Sequence, residues 1–139
     1  MFRPFLISAF LLANLVLVFA QKNVSPATEK QFSEAAAALQ SGDLDGAEKI
    51  YLHLLAQGAK TPVLIYNLGV VAQQRKDHAR AITQFRSAIN LQNNFAPAYV
   101  GLGISLLALG KTIEAVQVSE MAVQLQPQDA PTRLRLIRA

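Results

Sequence analysis

The feature that most narrows the fold of this chain is a self-match at one fixed period. Residues 62–95 read PVLIYNLGVVAQQRKDHARAITQFRSAINLQNNF, and the shift that carries Pro62 onto Ala96 lays them on 96–129. Leu68-Gly69 then falls on Leu102-Gly103, Ala81 on Ala115 and Ala88 on Ala122. A constant period of this length marks an array of supersecondary units. Each unit is too small to bury its own apolar face and is stabilised by stacking on its neighbours. Within each unit, apolar and small residues recur three and four positions apart, which is helical spacing. No sustained alternation and no Asn-Gly hairpin dipeptide points to strands.

Local punctuation places the helices. Ser25-Pro26 and Thr61-Pro62 each pair a capping hydroxyl with a proline suited to the first helical turn. From Thr28 the pattern Phe32, Ala35, Ala36, Leu39 runs to Ser41-Gly42, where glycine can take the left-handed conformation that ends a helix. A second helix over residues 45–57 carries Ala47, Ile50, Tyr51, Leu54 and Leu55 on one face and ends at Gly58. The pattern restarts over 62–75 and 79–91, around a turn at Lys76-Asp77. It restarts again over 97–109 and 113–126, around Gly110-Lys111-Thr112, and Pro127 closes it. Such short connections join antiparallel neighbours. The expected fold class is all-α, a short α-solenoid of three antiparallel helix pairs followed by a C-terminal capping helix.

Composition removes several function classes. Among 139 residues there is no cysteine, so disulfides, thiolate metal sites and cysteine nucleophiles are all excluded. The net charge of +4 resembles that of a nucleic-acid binder, but its placement does not. The excess comes from Arg3, Arg133, Arg135 and Arg138, whereas residues 21–132 hold nine Lys/Arg against nine Asp/Glu. A nucleic-acid surface gathers its basic residues on one face, and no such stripe occurs in the repeats. His53 and His78 lie in different units, with no HExxH, GxSxG or phosphate loop around them. Asp43-Leu44-Asp45-Gly46 begins like a calcium loop but lacks the rest of the ligand series and its closing glutamate, so it reads as a turn with capping acids. Gly101 and Gly103 lie inside a helical pattern and read as packing glycines. The chain is therefore expected to carry no catalytic residue, no cofactor and no metal.

The units resemble the tetratricopeptide repeat. With positions 1–34 counted from Thr28, Pro62 and Ala96, the middle unit places Tyr66, Asn67, Leu68, Gly69, Ala81, Ile82, Phe85 and Ala88 at the family's positions 5, 6, 7, 8, 20, 21, 24 and 27. The third keeps Tyr99, Leu102, Gly103, Ala115, Ala122 and Pro127. The first is degenerate: it keeps Ala35, Ala47 and Tyr51 but has Glu34 where leucine belongs. The resemblance implies repeats at 28–61, 62–95 and 96–129, a linker at 21–27, and a groove lined by the first helix of each pair. Carried onto this chain, the groove comprises Phe32, Tyr66, Asn67, Val70, Gln73, Gln74, Val100 and Ile104, an apolar and amide-rich set without charge. For Phe32, Leu39, Ile104 and Leu107, packing between helices is an equal alternative to lining the groove. Family members that clamp a peptide carboxylate use Lys or Arg at positions 2, 5 or 6. Here Val63, Tyr66, Pro97, Val100 and Gly101 stand in those places.

The two ends carry their own signals. Residues 1–20 read MFRPFLISAFLLANLVLVFA: one arginine, an apolar run, then Val18-Phe19-Ala20 before the chain turns polar. That is the layout of a secretory signal peptide. The alternative is an uncleaved anchor, but the stretch from Pro4 to Ala20 makes a helix of only about 25 Å. Either way the repeats are expected outside the cytoplasm, periplasmic or secreted if cleaved and membrane-anchored if not. Residues 130–139 begin like a fourth unit, with Pro131 one period after Pro97 and Leu136 one period after Leu102. The expected function is a non-enzymatic, exported protein-interaction module that takes a partner protein or peptide. Self-association into homo-oligomers through the C-terminal helix and carriage of a hydrophobic ligand are the alternatives. No nucleic acid is expected as partner.

Overall fold

The computed structural model describes residues 24–125. Six helices account for most of them: α1 (Pro26–Ser41), α2 (Leu44–Ala56), α3 (Pro62–Gln74), α4 (His78–Leu91), α5 (Ala96–Ala108) and α6 (Thr112–Leu125). They form three antiparallel pairs, and there is no strand among the described residues. α2, α4 and α6 begin at Leu44, His78 and Thr112, and α3 and α5 at Pro62 and Ala96, so the period of the sequence is the period of the structure. The segments expected as a signal peptide (1–20) and as a capping helix (130–139) lie outside the described residues.

Side chains close the N-termini of the first four helices. Ser25 Oγ accepts from the Thr28 N–H at 3.1 Å and Thr61 Oγ1 from the Leu64 N–H at 3.2 Å. Asp43 and Asp77 accept from Gly46 and Arg80 in the same way at 2.9 and 3.1 Å. Each such cap satisfies an otherwise orphaned donor and contributes about 1 kcal/mol. Asp43, which opens the calcium-like tetrapeptide, is therefore a helix cap, as expected. Pro26, Pro62 and Pro97 stand in the first turns of α1, α3 and α5, where no hydrogen bond is lost. Gly42 ends α1 at φ 85°, which lets the Asp43 N–H reach the Ala38 carbonyl at 2.9 Å.

Small residues set the distance between helices. Ala35, Gly69 and Gly103 on the first helices, and Ala47, Ala81 and Ala115 on the second, are all buried. Between the pairs stand two aromatic side chains at equivalent positions, Tyr51 of α2 and Phe85 of α4, both fully buried. A Cβ placed on Gly69 would lie 2.7 Å from the Phe85 ring, and one placed on Gly101 would lie 2.6 Å from it. Phe85 is thus wedged between its own unit and the next, and both glycines are required by its ring. Tyr51 reaches across the preceding seam in the same sense, its hydroxyl accepting from Asn67 Nδ2 at 2.9 Å.

Ion pairs run along the outside of the seams. Glu48 of α2 takes both Arg75 and Arg80 from the second unit, the latter at 2.6 Å, and Arg75 also meets Asp45. Arg86 pairs with Glu114 across the next seam. Burial pushes the Glu48 carboxyl up, but the Arg75 hydrogen bond and the charges of Arg80 and Arg75 outweigh it, so its pKa falls below the usual carboxylate value. A carboxylate depressed in the folded state contributes stability that is present above its unfolded pKa and lost as pH falls through the folded one. Glu48→Gln is therefore expected to lower the melting temperature at neutral pH, with the gap to wild type closing as the pH is lowered below the ordinary glutamate range. A gap that stays constant into acid would show that the charge on Glu48 does not stabilise the fold.

No helix among the described residues is long and apolar enough to cross a membrane.

Candidate partner-binding face

α3 and α5 lie side by side, tied by one side chain. Gln73 Nε2 donates to the Gly101 carbonyl at 3.1 Å and to Ser105 Oγ at 2.9 Å. Ser105 is fully buried, so this pairing satisfies a hydroxyl that water cannot reach. A backbone carbonyl can only accept, which fixes the Gln73 amide with its nitrogen towards the seam. The Gln73 Oε1 has no partner among the described residues. Of the side-chain polar atoms of the described residues, only His78 Nδ1 is both buried and unpartnered.

The eight residues singled out in the sequence fall into different environments. Ile104 and Gln74 are exposed, Ile104 to 42%, and Val100 is half-buried. Tyr66 is half-buried, its ring centroid 5.6 Å from those of both Phe85 and Phe95. Burial raises the pKa of its hydroxyl. Val70 packs partly against the cluster formed by Ala72, Ala81, Phe85 and Leu102. Asn67 and Gln73 spend their amide nitrogens on the scaffold, one on Tyr51 and the other on α5. Phe32 is half-buried in the first pair, edge-on to Tyr51 at 5.7 Å. Gln73 on α3 thus meets Gly101 and Ser105 on α5, Tyr66 and Val70 pack partly on the Phe85 cluster, and Phe32 packs on Tyr51 in the first pair.

Exposed apolar surface on this face comes from residues outside that set as well. Val63, at the start of α3, is 42% exposed, and Leu107 on α5 is also exposed. Both occupy groove positions of their units, which was the available signal. Phe95 supports Tyr66 from the α5 N-cap position. It sits in a loop in the sequence, and no periodic pattern marks it. His78, which falls between the turn read at Lys76-Asp77 and the helix read from residue 79, is the half-buried first residue of α4. No group of His, Cys, Asp and Glu among the described residues could hold a metal ion.

A family model described as tetratricopeptide repeat matches residues 63–95, which are α3, α4 and the turn after them. Residues 63–95 thus form a tetratricopeptide repeat. Solved repeat domains share the fold of the chain. The first such domain of Spaghetti (RPAP3), bound to the HSP90 peptide SRMEEVD, superposes with a TM-score of 0.73 at 23% identity, covering 78% of this chain and 86% of that one. The Arabidopsis OM64 domain gives 0.75 at 18% identity, over 81% and 93% of the two chains. The second domain of human RPAP3, in complex with the HSP70 peptide SGPTIEEVD, gives 0.71 at 20% identity, over 79% and 95%. Comparison with curated protein sequences gave no match. The middle repeat, which the family model matches, is also the one whose Phe85 joins two units. The first repeat of this protein departs furthest from the family pattern, and it has a tyrosine where the second has that phenylalanine.

Proposed function

We propose that this protein is a non-enzymatic interaction module that holds an apolar segment of a partner protein against the first-helix face of its repeats. The observation that carries this reading is the uncharged apolar surface at Val63, Ile104 and Leu107, beside the half-buried Tyr66, Val70 and Val100. Two of the similar solved domains hold peptides, SRMEEVD and SGPTIEEVD, which are acidic at their ends. An acidic end needs cationic partners, and the groove positions of α3 and α5 hold Val63, Tyr66, Asn67, Pro97, Val100 and Gly101 rather than lysine or arginine. The segment that fits here is apolar. Its backbone N–H groups can donate to Gln73 Oε1, since the amide nitrogen is already committed to α5. The export-signal layout of residues 1–20 supports a site of action outside the cytoplasm.

A double variant tests the reading. Val63→Asp with Ile104→Asp puts charge on two residues that are 42% exposed, so helicity should be kept. Its affinity for the partner is expected to fall about tenfold or more, because an unpaired charge would be desolvated in the complex. Affinity capture with the full chain and with the double variant, compared protein by protein, measures this. A partner retained equally by both would move the site off this face.

A further inference from the structure

Charge is divided between the two helices of each pair. α2 carries Asp45, Glu48 and Lys49, α4 carries Arg80 and Arg86, and α6 carries Glu114 and Glu120. α3 and α5 hold no Asp, Glu, Lys, Arg or His from end to end. Among the first helices only α1 is charged, with Glu29, Lys30 and Glu34. Lys30 and Glu34 meet each other at 3.8 Å, whereas Glu29 is exposed and makes no ion pair among the described residues. By the repeat register Glu29 stands in the first unit where Val63 stands in the second and Pro97 in the third. All three mark the end of the face at which the first helices begin. Glu29 also complements the dipole of α1 from its first turn. That effect needs no hydrogen bond, so the same carboxylate can take a cation from outside. Gln73 adds to the sign of the face. It donates both to Gly101 and to Ser105, so its oxygen, which only accepts, is what it has left to offer. Gln74 is exposed, can donate or accept, and does not discriminate.

We infer, taking the first-helix face as the binding face proposed above, that the segment it holds is apolar where it crosses α3 and α5 and carries a Lys or Arg at the end that reaches α1, where Glu29 pairs with it. Tyr51 joins α1 to α3: Phe32 packs on its ring and Asn67 bonds its hydroxyl. With about 8–10 Å between packed helices, the path from α1 across α3 to α5 is roughly 20 Å, or about six residues of extended chain. A cation at one end with apolar residues behind it is the reverse of the acid-ended SRMEEVD and SGPTIEEVD that similar domains hold. An acidic residue in the same place would meet Glu29, and α3 and α5 have no Lys or Arg to offset the repulsion. The pair is exposed, so it selects the sign of the segment and its direction along the face, while apolar burial supplies the affinity.

Two synthetic nonapeptides with blocked ends test this against the full chain. Each has the same run of Val, Ala and Leu, flanked by a lysine at either end in one and by a glutamate at either end in the other. Fluorescence anisotropy at low ionic strength should give the lysine peptide about fivefold tighter binding, the scale of an exposed ion pair. About 0.5 M salt should remove most of that preference. Glu29→Lys should reverse the preference and Glu29→Gln should abolish it, with circular dichroism showing that helicity is kept. Ile104→Gln, on a residue 42% exposed, should weaken both peptides alike. Equal affinity for the two peptides, or a preference unchanged by Glu29→Lys, would overturn the pairing with Glu29 and leave the apolar face in place. Failure of both peptides to bind, or binding untouched by Ile104→Gln, would remove the face and the pairing together.

Discussion

Phe85→Ala is expected to lower the free energy of unfolding by about 3–5 kcal/mol, the range for removing a buried phenylalanine from a tight core. The effect should lie at the upper end because the ring has no single owner. It packs on Gly69 within its own unit, on Gly101 in the next, and on Tyr66 at 5.6 Å. Removing it opens a cavity between two units, and both glycine backbones then face empty space. Neither can move in to fill it without breaking its helix. Small domains have a total stability of roughly 5–15 kcal/mol, so a loss of this size is a large fraction of the whole. Urea unfolding followed by circular dichroism should show a lower midpoint. A loss below about 1 kcal/mol, typical of any point mutant, would mean that Phe85 does not bind the second and third repeats together.

The reciprocal substitution, Gly69→Leu, should cost about 1–3 kcal/mol through overpacking. Leucine is the better helix former by just under about 1 kcal/mol, so the propensity gain opposes the clash without cancelling it. Even the first added carbon would lie 2.7 Å from the Phe85 ring. The two changes touch the same space and should not be additive. In the Phe85→Ala background, Gly69→Leu is expected to be close to neutral or stabilising, because the leucine then fills the cavity that alanine leaves. Thermal unfolding of the four members of this cycle measures the coupling. Additive effects would sink the idea that a single ring dictates the glycine.

The overall fold was legible in the sequence because its signals are local or strictly periodic. Ser25, Asp43, Thr61 and Asp77 act within one turn, and Ala47, Ala81 and Ala115 recur at the same place in each unit. The helix limits inferred from these features fall close to those observed. The candidate face was legible only as a set of positions. That Asn67 and Gln73 would spend their amide nitrogens on Tyr51 and Gly101 depends on groups 16 and 28 positions away, and no local pattern encodes it. The same holds for the Glu48 pairs with Arg75 and Arg80, and for the support that Phe95 gives to Tyr66.

Stacking accounts for a further difference that the period does not carry. Ile82 and Val116 occupy the same place in successive units and are both apolar, yet Ile82 is 6% exposed and Val116 47%. The sequence treats them alike, because hydrophobicity and register are properties of each unit. Their burial differs because it is set by what stacks on that unit, with the third repeat covering the one and nothing among the described residues covering the other. By itself, then, the sequence determined the helices, their pairing and the repeat that links them, all of which follow from short-range propensity and a fixed period. Only the tertiary structure decided which polar groups are spent on the seams, which glycines answer to the Phe85 ring, and which apolar residues remain open to a partner. Each of those depends on contacts between helices distant in sequence, and such contacts exist only once the helices have packed and the units have stacked.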